Sequence, residues 1–337
     1  MSSVLFDCLN QSGCGASLTA PISKTTLALS GFAFVDDTDL LSTGRDETME
    51  LIPIVNNLQT SVDTWQGCLQ STGGALDIGD NNKSYWYCLD YEWNHKGRWK
   101  YRDVSADVNL TMANDNGVKV NIPLCQPNEA RRTLGVRLAP DGNFTAQTEY
   151  MKELVTKFAN KIKNSTLSSV DIKLALTTRL MPALLYALPA TTLTKIECTS
   201  IMAPMKEKIL PKMRVVRTIR NAVLYGPLRY QGFGLTHLFT IQCTTHIALL
   251  IEYIDTDTDM GNILKHSMEA LNMETGLDGN PFKYDYVTFQ SCVTTGWFTH
   301  LWAFVTKNKI RLERCKHALK PQRVNDLIIM KCFIHNG

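Results

Sequence analysis

GFAFVDDTDLLSTG, residues 31–44, sets two adjacent aspartates, Asp36 and Asp37, and a third at Asp39 directly behind an apolar run. Short β-prone stretches alternate around the pair through residues 24–44, a pattern that predicts a hairpin with exposed carboxylates at its tip. Like charges a few ångströms apart raise each other's pKa unless a cation sits between them. Hard divalent cations bind oxygen ligands of this type, and Mg2+ takes one or two protein carboxylates together with substrate phosphates. Two such ions, about 3.5–4 Å apart, can clamp the attacking and leaving oxygens of a phosphoryl transfer. A solvated or capping Asx turn uses the same residues, and the dipeptide alone does not separate the two. A calcium loop fails on spacing: counted from Asp37, the fifth and sixth positions are Leu41 and Ser42, where an oxygen ligand and a glycine are needed.

Working outward, Leu51, Ile54, Val55, Leu58, Val62, Trp65 and Leu69 recur at spacings of three and four. They predict a helix from Asp46 to Gln70, stopped by Gly73 and Gly74. Its apolar stripe is expected to pack on the sheet that contains the aspartate hairpin. Residues 84–138 read as successive β-hairpins, with turns at 94–97 and 113–117, and TLGVRL leads into Pro140-Asp141-Gly142. From Asn143 the period becomes helical. Met151, Leu154, Val155, Phe158 and Ile162 mark one helix, and Ser168 with Asp171 and Thr194 with Glu197 form capping boxes for two more. Pro182, Pro204 and Pro211 are expected to kink or end helices. The layout is α+β: a strand-rich part over 1–142 and a helical part over 143–337.

The composition, 44% hydrophobic and 20% charged over 337 residues, belongs to a folded chain rather than a disordered one. MSSVLFDCLNQ has neither a cationic nor a long apolar segment, and no 18 apolar residues run together, so the expectation is an intracellular, nuclear or cytoplasmic protein with no membrane span. Ten scattered cysteines without CxxC read as reduced thiols. The net charge of +3 averages unlike segments: 206–229 carries seven Lys and Arg against Glu207 alone, 252–285 is acidic, and the tail from Lys307 is basic. Such asymmetry points to a polyanion met on one side. Arg214, Arg217 and Arg220 recur every three residues beside Lys212, so a helix would align them as one ridge along a phosphate backbone. Trp86, Trp93 and Trp99 are read as core or cross-strand packing. Cys243 and His246 have the spacing of half a zinc site, with no second half at a usual distance.

These motifs come in a definite order, and that order resembles the reverse transcriptases of non-LTR retrotransposons. AFVDDTDLL looks like their palm hairpin, which implies metal-binding, catalytic roles for Asp36 and Asp37 with Mg2+ as cofactor. TGGALDIGDNNKS (72–84) is similar to the next palm segment, making Lys83 the counterpart of a lysine near the incoming nucleotide's phosphates. RRTLGVRLAPDGN (131–143) looks like the primer-grip hairpin, with Leu134 and Gly135 against the primer strand. The helical part, and LPKMRVVRTIRNAVLYGPLRYQGFGL (210–235) in particular, resembles the thumb and the helices after it. The implied partners are an RNA template and a DNA primer, held by Lys212, Arg214, Arg217 and Arg220 among others. The family also needs an aspartate on an earlier strand and a fingers domain, which 30 residues upstream of the hairpin cannot hold. The resemblance therefore implies a chain that starts within the palm and does not polymerise alone. The rival reading is a non-catalytic nucleic-acid-binding protein that keeps the thumb surface.

Overall fold

The computed structural model describes residues 2–11, 14–34, 37–44, 49–74, 83–114, 117–277 and 279–312. The chain divides into two compact units, one of residues 1–130 with 139–141, the other of 131–138 with 142–337.

The strand-rich unit opens with helix α1 (Ser2–Gln11) and two antiparallel hairpins, β1 (Ala16–Thr19) with β2 (Thr26–Leu29) and β3 (Gly31–Phe34) with β4 (Asp37–Leu40). Helix α2 (Leu51–Ser71) follows. Then come β5 (Trp86–Tyr87), the hairpin β6 (Tyr91–Trp93) with β7 (Trp99–Tyr101), the hairpin β8 (Leu110–Ala113) with β9 (Lys119–Ile122), and β10 (Leu124–Cys125), which lies parallel to β5. Every sheet among the described residues is two-stranded.

Helix α2 starts at Leu51 rather than Asp46: Met49 and Glu50 are not helical, and Pro53 falls in the first turn, where its missing N–H costs no helical bond. Its end follows the sequence. Gly73 takes φ +79°, and the N–H groups of Gly73 and Gly74 donate to the Gln70 and Leu69 carbonyls at 3.1 and 2.9 Å. The stripe does not rest chiefly on the aspartate hairpin. Val55 and Val62 pack with Trp86, Leu110, Met112 and Ile122, so the β8–β9 ribbon is the main partner; Leu40 of β4 joins from the side. The reason is polar as well as apolar. Gln59 and Gln66 lie two turns apart on α2 and pair with the backbone of β8 as a neighbouring strand would. The Gln59 amide donates to the Thr111 carbonyl at 2.8 Å and accepts from the Thr111 N–H at 2.9 Å. Gln66 accepts from the Ala113 N–H at 3.0 Å and donates to the Ala113 carbonyl. The otherwise open edge of β8 is thereby closed by side chains.

The helical unit begins with the hairpin β11 (Arg131–Thr133) and β12 (Val136–Leu138). Helices follow: α3 (Thr145–Lys163), α4 (Ser169–Ala175), α5 (Met181–Leu185), α6 (Lys195–Pro204), α7 (Leu210–Lys212), α8 (Asn221–Leu224), α9 (Leu238–Tyr253), α10 (Asp259–Thr275), α11 (Tyr286–Phe289) and α12 (Trp297–Lys307). Both capping boxes form, at Ser168 with Asp171 and at Thr194 with Glu197. The three prolines do not stop the helical path. Wide π turns at Leu176–Leu180 and Met205–Ile209 carry it past Pro182 and from Pro204 to Pro211, shifting carbonyls away from rings that have no N–H to give. One core gathers Val155, Ile172, Leu184, Ile201, Ile209 and Leu224; a second gathers Leu250, Met268, Leu301 and Trp302. Buried Gln242 joins α9 to the 191–193 segment, accepting from the Leu193 N–H at 3.1 Å and donating to its carbonyl at 2.9 Å.

The fold is α+β. No helix among the described residues is long and apolar enough to cross a membrane.

Candidate nucleic-acid interface

The aspartate hairpin forms as a tight antiparallel pair, Phe34 facing Asp37 and Phe32 facing Asp39. Val35 and Asp36 lie outside the described residues, so the expectation for Asp36 lies outside them too. Asp37, the first residue of β4, is exposed. Strand alternation puts Asp37 and Asp39 on one face with Phe32 and Phe34, both exposed, while Leu40 turns toward α2. Asp39 keeps much of its surface open, yet the atoms crowding its carboxyl, and next the charge of Asp37, push it above the ordinary carboxylate range. Two like charges on one strand face behave in this way. The donor chemistry suits Mg2+, which needs few protein carboxylates when phosphates complete its shell. Among the described residues, which do not include Asp36, no group of three or more His, Cys, Asp and Glu could hold a metal ion.

Lys83 is exposed and opens the segment leading into β5; residues 75–82 of the TGG stretch are not among those described.

The TLGV hairpin is built as its sequence predicts but belongs to the helical unit, where the expected division placed it in the strand-rich one. Leu134 and Gly135 form its two-residue turn with φ +48° and +86°. Both positive values match the twist of a type I′ hairpin. Three contacts dock it. The Tyr186 hydroxyl donates to the Leu134 carbonyl at 2.7 Å, and the buried Gln147 side chain on α3 accepts from the Arg137 N–H at 2.9 Å. The Arg137 guanidinium lies 3.9 Å from the centre of the Tyr150 ring. Tyr186 and Gln147 are the residues that sequence reasoning missed. Nothing local in the sequence marks them, since one follows a short apolar helix and the other sits among polar residues.

The basic segment is present, but its expected helix is not. Helix α7 ends at Lys212, and residues 213–220 are turns and extended backbone. Arg214 takes φ +62° and the Val215 N–H reaches back to the Leu210 carbonyl at 2.9 Å, a helix stop of the kind glycine usually makes. The apolar positions explain the departure: Val215 and Ile219 must both reach the first helical core, as must Met213. Lys212, Arg214, Arg217 and Arg220 remain outside, exposed, and without an ion pair among the described residues. The other cations nearby are engaged. Lys206 donates to Asn221 at 3.0 Å, Lys208 to Asn160 at 2.8 Å, and Arg229 lies over the Tyr230 ring at 4.8 Å. The Leu134–Gly135 hairpin and the basic segment are thus anchored to one core, through Val136 and Leu138 on one side and Val215 and Ile219 on the other.

The Cys243 and His246 pair is buried on α9 and is part of no group of three or more metal-ligating side chains among the described residues. No known family, no curated protein and no solved structure matches this chain.

Proposed function

We propose that the chain is a portion of an RNA-directed DNA polymerase of the type its motifs resemble, whose helical unit holds an RNA template and DNA primer duplex. The observation that carries the reading is the run Lys212, Arg214, Arg217 and Arg220, exposed and uncompensated on a segment pinned by apolar anchors. Such a surface engages phosphates with little sequence preference. In the intact enzyme Asp36 and Asp37 would hold Mg2+, whose chemistry there is to steady charge on the transferring phosphate. Lys83 would meet the nucleotide's phosphates, and Leu134 with Gly135 would border the primer. The 337-residue chain by itself would hold the duplex without extending it, since the resemblance identifies only two of the palm's three aspartates in it. The exposed basic run serves the second reading equally, a nucleic-acid-binding protein in which the aspartate hairpin is structural.

The test is duplex affinity against salt. Four phosphates, met by these four cations, give a log–log slope of about −3.6, and replacing Arg214, Arg217 and Arg220 by alanine flattens it by about 2.7. An unchanged slope overturns the duplex-holding role. Primer extension that disappears with Asp36→Ala would overturn the inactivity of the isolated chain and establish the polymerase reading over the second.

A further inference from the structure

The β6–β7 ribbon carries a face that the duplex-holding role leaves unused. Its register pairs Tyr91 with Tyr101 and Trp93 with Trp99, so four aromatic rings fall on one face of a two-stranded ribbon. Trp86, Trp93 and Trp99 were expected to be packing residues, and Trp86 is one, buried with its indole N–H donated to the Ile122 carbonyl at 3.2 Å. The ribbon's rings are not covered: Trp93 is 74% exposed, and Tyr91 and Trp99 are each 54% exposed. Three of them steady one another. Tyr91 and Tyr101 each stand 5.5 Å from Trp99, edge to face, and 5.2 Å from each other. Trp93 stands outside that trio, at the turn end of the face.

The charge on the ribbon says what such a face is for. Residues 90–102 hold four cations, Lys96, Arg98, Lys100 and Arg102, against two acids, Asp90 and Glu92. Both acids are taken: Lys100 pairs with Glu92 at 2.7 Å on the face opposite the rings, and Arg102 pairs with Asp90 at 2.5 Å. The surplus charge is therefore placed at Lys96 and Arg98, in and beside the turn next to Trp93. Open rings beside uncompensated cations are the elements by which proteins hold single-stranded nucleic acid, bases stacking on the rings and phosphates meeting the cations. An oligosaccharide would use the rings and leave the cations idle. An apolar protein surface would strand them.

We infer that the β6–β7 ribbon is a binding site for single-stranded nucleic acid, with Trp93 and Trp99 as base platforms and Lys96 and Arg98 as phosphate contacts. The ribbon belongs to the strand-rich unit and the basic segment to the helical one, and the inference stands independently of the polymerase reading.

The experiment uses the full chain with labelled oligothymidylate and oligouridylate, followed by anisotropy. Trp93→Ala, which leaves the interlocked trio in place, should weaken single-strand binding roughly tenfold, and Trp93→Phe should restore most of it. Replacing Lys96 and Arg98 by alanine should flatten the single-strand salt slope by about 1.4. Affinity for the RNA–DNA duplex should not change in any of these variants. Single-strand affinity that Trp93→Ala leaves intact, or that falls only when Arg214, Arg217 and Arg220 are replaced, overturns the inference. So does a ribbon that binds a neutral oligosaccharide and not the oligonucleotides. Loss of single-strand binding in the ribbon variants alongside an unchanged duplex slope in the Arg214, Arg217 and Arg220 variant would sink the proposed duplex role and leave this site standing.

Discussion

Leu134 and Arg214 hold backbone conformations that their side chains make costly. Five described residues other than glycine have positive φ, and two of them are residues that the sequence motifs single out for nucleic acid. A left-handed conformation costs an L-residue roughly 1–2 kcal/mol, and such strain persists where the surroundings enforce it, often at working sites. At Leu134 the enforcement is visible in the Tyr186 hydroxyl on its carbonyl and in the Gly135 turn partner, where an added Cβ would stand 3.3 Å from the Tyr186 ring. Leu134→Gly should therefore raise stability by about 0.5–1 kcal/mol in urea unfolding. If the half-exposed leucine borders a primer strand, the same variant should bind duplex more weakly. Higher stability with unaltered affinity would assign Leu134 to the turn alone. This pairing of strain with site was out of reach of the sequence, since LG and MR dipeptides carry no sign of left-handed backbone.

Among the elements, α2 shows where periodicity informs and where it stops. Its apolar stripe and glycine stop were legible because both follow from local spacing. Its true partner was not, because glutamines on a helix read as solvent-facing until a strand edge is beside them. Replacing Gln59 and Gln66 together by leucine removes four hydrogen bonds to β8 and leaves the Thr111 and Ala113 backbone unpaired, at a cost of about 2–4 kcal/mol. A urea midpoint unmoved by the double change would show that the edge is satisfied otherwise. The basic segment teaches the converse. Arginines at every third position imitate a helix face, but the interleaved Met213, Val215 and Ile219 all seek one core, and no helix can turn them inward together with the spacing they have. The capping boxes were readable for the reason the ridge was not: their partners lie three residues away.

For the molecule as a whole, the α+β class was legible in the change of period near Asn143, whereas the membership of its units was not. The TLGV hairpin joins the helices through partners 10 and 52 residues further on, and no local pattern announces bonds of that reach. The helical unit also carries its own acid sensitivity. His246 is fully buried between the Leu188 carbonyl, 3.1 Å from Nε2, and the rings of Trp297 and His300, with Nδ1 unpartnered. Burial, opposed by the Leu188 carbonyl and reinforced by His300, holds it down at about 4 from an ordinary 6.5. The folded state thus favours the neutral ring, so the contribution is complete above pH 6.5 and is lost as pH falls through 4. The loss amounts to about 3 kcal/mol. Thermal midpoints should be level above neutrality and decline across that window, and His246→Gln should flatten the decline; a midpoint indifferent to acid would place the ring in contact with water. The interlaced division of the chain bears on how it can be cut for expression. A fragment begun at residue 143, where the period changes, would strip Val136 and Leu138 from the first helical core and leave the Tyr186 hydroxyl and the Gln147 amide facing nothing. A fragment begun at Arg131 carries the hairpin with the helices that hold it, and is the shorter piece in which those helices keep their native neighbours.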